Sequence, residues 1–209
     1  MTTDFYLLAD EIAGIHKIDD DSDYTAKAKK LVKLDAVDHG ISHAVAGIRP
    51  SALGGVGRTA PVQHGTMEIS RTFDPSSIQI LTAHLKGDVL KLVHLFGARV
   101  LKSDGDRYPQ PVLHIVMSNV IIANYHYTMF EDGTSETIVL KYSSIGWRFR
   151  AIQRGKSDDT PSNKWAECWW DGKKNTNTKD DAFTTTVLDA NKHFESAGYK
   201  AKPGGLPGL

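Results

Sequence analysis

At 209 residues the chain is long enough for one domain with a genuine core and a terminal appendage. Its 25 basic and 25 acidic residues cancel, which excludes the cationic surface of a nucleic-acid protein and leaves little repulsion to oppose self-association. One cysteine, Cys168, excludes an internal disulfide framework and a thiolate zinc cluster.

No run approaches the length of a membrane helix, so no membrane insertion is expected. Met1-Thr2-Thr3-Asp4 lacks the basic and apolar regions of a secretory signal, and folding in a cytosol is expected. Phe5-Tyr6-Leu7-Leu8-Ala9 reads as a first strand, with Ile12, Ile15 and Ile18 continuing it across a turn. Asp19, Asp21 and Asp23 sit at the first ligand positions of a calcium loop. That reading fails, because Tyr24 replaces the turn glycine and Lys30 the bidentate glutamate. Lys33 and Asp35 alternate with Val32, Leu34 and Ala36, predicting a half-buried strand that reaches roughly to His43.

Val45 to Pro61 has no period and carries Gly47, Pro50, Gly54, Gly55 and Gly57. Gly55-Val56-Gly57-Arg58-Thr59-Ala60 fits a dinucleotide fingerprint formally, but Pro61 and the strand that follows deny it the required helix. A loop this long in a small domain reads as a protruding arm that binds something. Met67, Ile69 and Phe73 then mark a strand. Asp74-Pro75 opens a helix: the aspartate accepts from first-turn amides, and proline loses nothing at the first helical position. Ile78, Leu81, Thr82 and Leu85 fall at helical spacing, and Gly87 sits where a C-terminal cap belongs. Val89 to Phe96 is a strand apolar on both faces, extended by Arg99-Val100-Leu101.

Tyr108 to Ile152 is the organising stretch: two long extended runs joined by Glu131-Asp132-Gly133-Thr134. In the first run Leu113, Ile115, Met117, Ile121, Ala123, Tyr125, Tyr127 and Met129 share one parity, broken only by Asn119, which predicts one continuous apolar face. His114 and His126 fall on the other parity, where a solvent- or lumen-facing role is expected. In the second run Ile138, Leu140 and Tyr142 alternate in one phase, then Ile145, Trp147, Phe149 and Ala151 in the other. The change at Ser143-Ser144 predicts a bulge or bend, a device that turns a strand round a barrel corner.

No catalytic constellation emerges, and no cofactor is expected. His39 and His43 have helical metal-pair spacing, but on a strand they stand roughly 13 Å apart. No Gly-x-Ser-x-Gly elbow is present. Cys168, between Glu167 and Trp169, is expected to pack.

The order strand, strand, Gly-rich arm, strand, Pro-capped helix, strand and bent hairpin resembles the haemolysin-coregulated protein (Hcp) family, the inner-tube protein of the bacterial type VI secretion system. The resemblance rests on Met67-Glu68-Ile69-Ser70-Arg71 running into Asp74-Pro75-Ser76-Ser77, on Tyr108-Pro109-Gln110, on Tyr142 to Ile152, and on Trp169-Trp170-Asp171-Gly172-Lys173-Lys174-Asn175. It implies a mainly β fold, a compact β-barrel of two packed antiparallel sheets with one flanking α-helix. It further implies homo-hexameric rings stacked into a hollow tube, with sheath and spike or baseplate proteins and exported effectors as partners, and no enzymatic activity. Secretion without a signal peptide follows from the same likeness. Residues 1–177 are then the tube domain and 178–209 a C-terminal extension, with a helix around Asp181 to Ser196 and a Gly/Pro-rich end. The arm is expected to contact a neighbouring subunit or ring through Ile48, Arg49, Leu53, Val56 and Arg58. A tail-tube subunit of another phage-like contractile machine is the nearest alternative. A barrel binding a small ligand among Tyr125, Tyr127, Trp147 and Phe149 is a third reading.

Overall fold

One strand runs through both halves of the molecule and fixes its architecture. The structure is a computed structural model, and it describes residues 3–9, 31–43, 62–103, 106–154, 159–162, 164–184 and 187–196. The elements are β1 (Thr3–Ala9), β2 (Val32–Leu34), β3 (Ala36–His43), β4 (Val62–Thr72), α1 (Pro75–Lys86), β5 (Leu90–Ser103) and β6 (Asp106–Phe130). They continue with β7 (Gly133–Lys141), β8 (Ser144–Phe149), β9 (Ile152–Arg154), β10 (Asp159–Pro161), β11 (Ala166–Asp171) and α2 (Ala190–Ser196).

Nine strands form one antiparallel sheet in the order β2-β1-β5-β6-β7-β4-β3, with β8 against β6 and β11 against β8. Only Asp35 separates β2 from β3, so the two ends of that path are one run of chain and the sheet closes on itself. The Asp35 amide donates to the Ser70 carbonyl at 2.9 Å across this seam. The expected mainly β barrel with one flanking helix is the observed fold. The short β9–β10 pair is a separate ladder.

β6 is the long arm of the predicted bent hairpin. Its first part pairs with β5 on one edge and β8 on the other, and its second part pairs with β7. The bend is Asn119, at φ +48°, a left-handed conformation that asparagine tolerates better than most residues. Opposite it, the Ser143 amide donates to the Ser118 carbonyl at 2.9 Å, between the end of β7 and the start of β8.

The continuous apolar face predicted for this strand does not exist. Ile115 and Met117 face the core, but past Asn119 the inward residues are Val120 and Ile122, while Ile121 is exposed. A second register slip between Ile122 and Asn124 returns Tyr125 to the core side. Two irregularities, each inverting the side-chain phase, replace one unbroken alternation.

Inside the barrel Leu7, Val32, Met67, Ile69, Val93, Met117, Ile138 and Leu140 are buried together. A cavity of about 10 Å³ remains among them. The outer face of β1, β5, β6 and β8 is covered too, by the C-terminal segment. Phe183 and Leu188 pack on Val116, and Ala190 and Phe194 on Tyr6, Leu8 and Phe96. This second cover explains why β5 is apolar on both faces. Within the segment, Asp181 and Ala182, then Val187 and Leu188, form turns, and among the described residues the regular helix is Ala190–Ser196.

Helix α1 has the predicted ends. The Ser76 amide donates to Asp74 Oδ1 at 2.7 Å and the Asp74 amide to Ser77 Oγ at 2.9 Å. Gly87 closes it at φ +68°. Ser76, Ser77, Ile80 and Ala83 face the barrel, whereas Ile78 and Leu85 are exposed.

The bend supplies the first test. Asn119→Val places a β-branched residue at positive φ and is expected to cost about 1–3 kcal/mol in urea unfolding, whereas Asn119→Gly changes stability by a few tenths. Equal midpoints for the two variants would contradict the assigned role of the residue.

Candidate functional site

Among the described residues no group of three or more His, Cys, Asp or Glu is arranged to hold a metal ion. His39 Nε2 instead meets the Tyr142 hydroxyl at 2.6 Å, in a ring cluster with His64 and Trp147. Cys168 is exposed rather than packed. His126 faces solvent as expected, but His114 is buried, because the C-terminal segment covers the sheet face from which it projects. Tyr127 and Phe149 are exposed while Tyr125 and Trp147 pack on the core, so these four rings share no cavity. The alternation that predicts Phe149 inside is inverted there: Arg148 and Arg150 are the buried residues. Both guanidinium groups lie 4.8 Å from the Trp165 ring. Arg148 pairs with Glu167 at 2.8 Å, and Arg150 donates to the Pro111 carbonyl at 2.6 Å and to Asn191 Oδ1 at 2.9 Å. The acidic stretch Asp19 to Asp23, the Gly55 to Ala60 segment and the arm residues Ile48, Arg49, Leu53, Val56 and Arg58 lie outside the described residues.

What the described surface does offer is apolar area. On α1, Ile78 is 54% and Leu85 77% exposed, with Val89 just beyond at 55%. At the end of the β6–β7 hairpin Met129 is 72% and Phe130 59% exposed. A groove of about 480 Å³ runs beside α1, lined by Gln79, Thr82, Lys86, Asp88, Val89 and Leu90. Large exposed apolar side chains on a rigid helix and at a hairpin end mark surfaces for another protein rather than a reaction centre. The pattern of α1 carries this signal already, since it supplies more large apolar residues than one buried stripe can use.

A polar network holds the helix in place. Arg71 and Glu136 are both buried and pair at 3.0 Å. Arg71 also donates to Ser76 Oγ at 2.7 Å and pairs with Asp74, which caps the helix. The Ser77 hydroxyl donates to Glu136 Oε1 at 2.8 Å, and the Tyr125 hydroxyl donates to the same carboxylate. These partners explain why two serines, and not the larger apolar residues, occupy the inward side of the first turn. Partial burial opposes ionisation of Asp74, but the Ser76 hydroxyl and the Arg71 guanidinium outweigh it and hold the carboxyl below its usual range. Its contribution is therefore present above the unfolded carboxylate range and fades as pH falls below it.

Glu136→Ala leaves Arg71 buried with only the partly exposed Asp74 as counter-ion. The expected loss is about 3 kcal/mol in urea unfolding, against about 1 kcal/mol for Tyr125→Phe, which removes a single hydrogen bond. A loss for Glu136→Ala no larger than that for Tyr125→Phe would contradict the network's role.

Comparison with known proteins agrees with this architecture. The model of the family described as "Type VI secretion system effector, Hcp" matches residues 9–149. No curated protein matches. Among solved structures, Hcp1 from Salmonella typhimurium is similar at 16% identity and TM-score 0.58, over 85% of this chain and 100% of that one. A type VI secretion system effector from Yersinia pestis is similar at 16% identity and TM-score 0.52, over 80% and 99%. Secreted protein Hcp3 from Pseudomonas aeruginosa is similar at 16% identity and TM-score 0.50, over 77% and 97%. At such identities these structures speak for the fold, while the family match spans the chain from the end of β1 to Phe149: the chain belongs to the Hcp family of the type VI secretion system.

Proposed function

We propose that this protein is a structural tube subunit of a type VI secretion system, without enzymatic activity, which forms hexameric rings that stack and carry effectors out of the cell. The observation that carries the reading is the exposed apolar surface of Ile78, Leu85, Val89, Met129 and Phe130 on a barrel whose own core is complete. Such a surface is costly in water and is relieved when copies of the chain cover it. Sheath, spike and baseplate proteins are the further partners of this reading, and the protein is exported. Among the described residues, no helix is long and apolar enough to cross a membrane.

The edges of the sheet support lateral assembly. Among the named strands of the described residues β3 pairs with β4 alone and β11 with β8 alone, apart from the Asp171–Thr176 bridge, so each offers an edge to a neighbour. The arm is the second contact of the proposal, with Ile48, Arg49, Leu53, Val56 and Arg58 reaching the adjacent subunit or ring. Residues 1–177 form the tube domain of this reading and 178–209 its extension. The small-ligand reading loses its support, since the interior cavity of about 10 Å³ has no room for a metabolite. The family match favours a type VI system over another contractile machine.

Leu85→Lys combined with Ile78→Lys is expected to leave the melting temperature within about 2 °C, because both side chains are exposed, and to convert a ring-sized particle into monomers in light scattering. An unchanged particle mass would remove α1 from the interface. Deleting Ser51 to Arg58 is expected to preserve the ring but shorten or abolish stacked tubes in electron microscopy. Tubes of ordinary length would refute the proposed role of the arm.

A further inference from the structure

The C-terminal segment does more than cover apolar surface, for three histidines meet beneath it. His94 of β5 and His114 of β6 are buried side by side, with His94 Nδ1 and His114 Nε2 3.0 Å apart. Their remaining nitrogens, His94 Nε2 and His114 Nδ1, are buried with no hydrogen-bond partner. The third ring, His193, belongs to α2 and lies 4.6 Å from His94 and 6.4 Å from His114 between ring centres. Its Nε2 donates to the Val187 carbonyl at 2.9 Å, which ties the two ends of the segment together. Phe96 completes the stack, 4.6 Å from His114.

Among the described residues, no carboxylate pairs with His94 or His114. From β8, Arg148 acts on His114 as a like charge, as does His193 on both buried rings. Glu167 of β11 is engaged by Arg148, Asp180 by the Ser118 hydroxyl and the Ala182 amide, and Asp189 acts on Arg150. Tyr6 of β1 packs against Phe194, Lys179 lies over Trp169, and Lys192 is exposed. No carboxylate is among the groups that shift His94 or His114. A proton arriving on either ring therefore creates an uncompensated charge beneath the cover.

We propose that residues 179–184 and 187–196 act as an acid-released strap, in which protonation of the His94–His114 pair detaches the segment from the outer sheet face while the barrel stays folded. The barrel core lies on the opposite face of the same strands, around Val93, Leu95, Ile115 and Met117, and the histidines on that side, His39 and His64, stack on Trp147. Burial, reinforced by His193, pushes His94 from 6.5 down to about 3, and burial with the neighbouring cations moves His114 in the same direction. Groups depressed in the closed state favour closure fully above pH 6.5, and that preference is lost as pH falls towards 3. For His94 alone the strap equilibrium shifts towards release by about 30-fold between neutral pH and pH 5.

Hydrogen–deuterium exchange of the full chain at pH 7.5 and pH 5.0, corrected for intrinsic rates, tests this. Peptides covering 187–196 are expected to lose at least tenfold protection at pH 5.0, while those covering 115–122 and 136–141 keep theirs. A strap equally protected at both pH values overturns the proposal, and so does loss of protection in strap and barrel together. His94→Leu with His114→Phe removes the buried proton sites. In this variant the strap's protection is expected to become independent of pH, and acid release persisting in it would overturn the proposal. Should the variant fail to fold, the exchange pattern of the unmodified chain decides.

Discussion

Everything in this structure depends on β6 serving two parts of the closed sheet, with β5 and β8 beside its first part and β7 beside its second. A strand shared in this way must bend, and a bend in a ladder-bonded strand needs one residue able to leave the β region without losing its neighbours' hydrogen bonds. Asn119 does so at φ +48°, with the Ser143 amide on the Ser118 carbonyl closing the gap on the partner side. The consequence is a phase inversion that delivers Val120 and Ile122, not Ile121, to the core. Closure then follows at the far seam, where Asp35 alone separates the strand that ends one side of the barrel from the strand that ends the other.

The second constraint is that the first half of β6 and all its neighbours are covered on both faces. A barrel wall normally alternates apolar and polar residues, one set for the core and one for water. Here the outer set includes His94, His114, Ser118, Arg148 and Arg150 beside Tyr6, Phe96 and Val116, and all are buried by the returning C-terminal segment. Burying polar groups is tolerable only with partners. The arginines have them in Trp165, Glu167, Pro111 and Asn191, whereas two histidine nitrogens do not. That difference makes the arginine side of the cover a fixed anchor and the histidine side its weak point.

Much of this was legible in the residues. Asp74-Pro75 and Gly87 mark the ends of α1 because capping is a local interaction, and the Asp132-Gly133 turn and the Ser143-Ser144 phase change locate the hairpin for the same reason. The barrel itself was legible through the family resemblance, with the bent hairpin pointing the same way. What was not legible depends on partners distant in sequence. Helical spacing alone does not assign the inward face of α1, because the Arg71–Glu136 pair draws Ser76 and Ser77 inside, and no local period reveals a pair formed across strands. The burial of His114 and Arg148 was missed because their cover arrives from a segment more than sixty residues (His114) or thirty residues (Arg148) later in the chain. Asn119 was visible as the one break in an apolar parity, and the break turned out to be the hinge rather than an exception within a continuous face.

The exposed apolar side chains suit this surface to assembly. The barrel interior is filled and the C-terminal segment covers part of the outer wall, while Ile78, Leu85 and Val89 at α1 and Met129 and Phe130 at the hairpin end stay exposed. A chain with no net charge and exposed strand edges has few defences against self-association, which supports the proposed assembly into rings. Negative-stain electron microscopy of the purified full chain tests that claim most directly. The account predicts six-fold rings with a central channel, and a uniform field of single-subunit particles at the same concentration would contradict it.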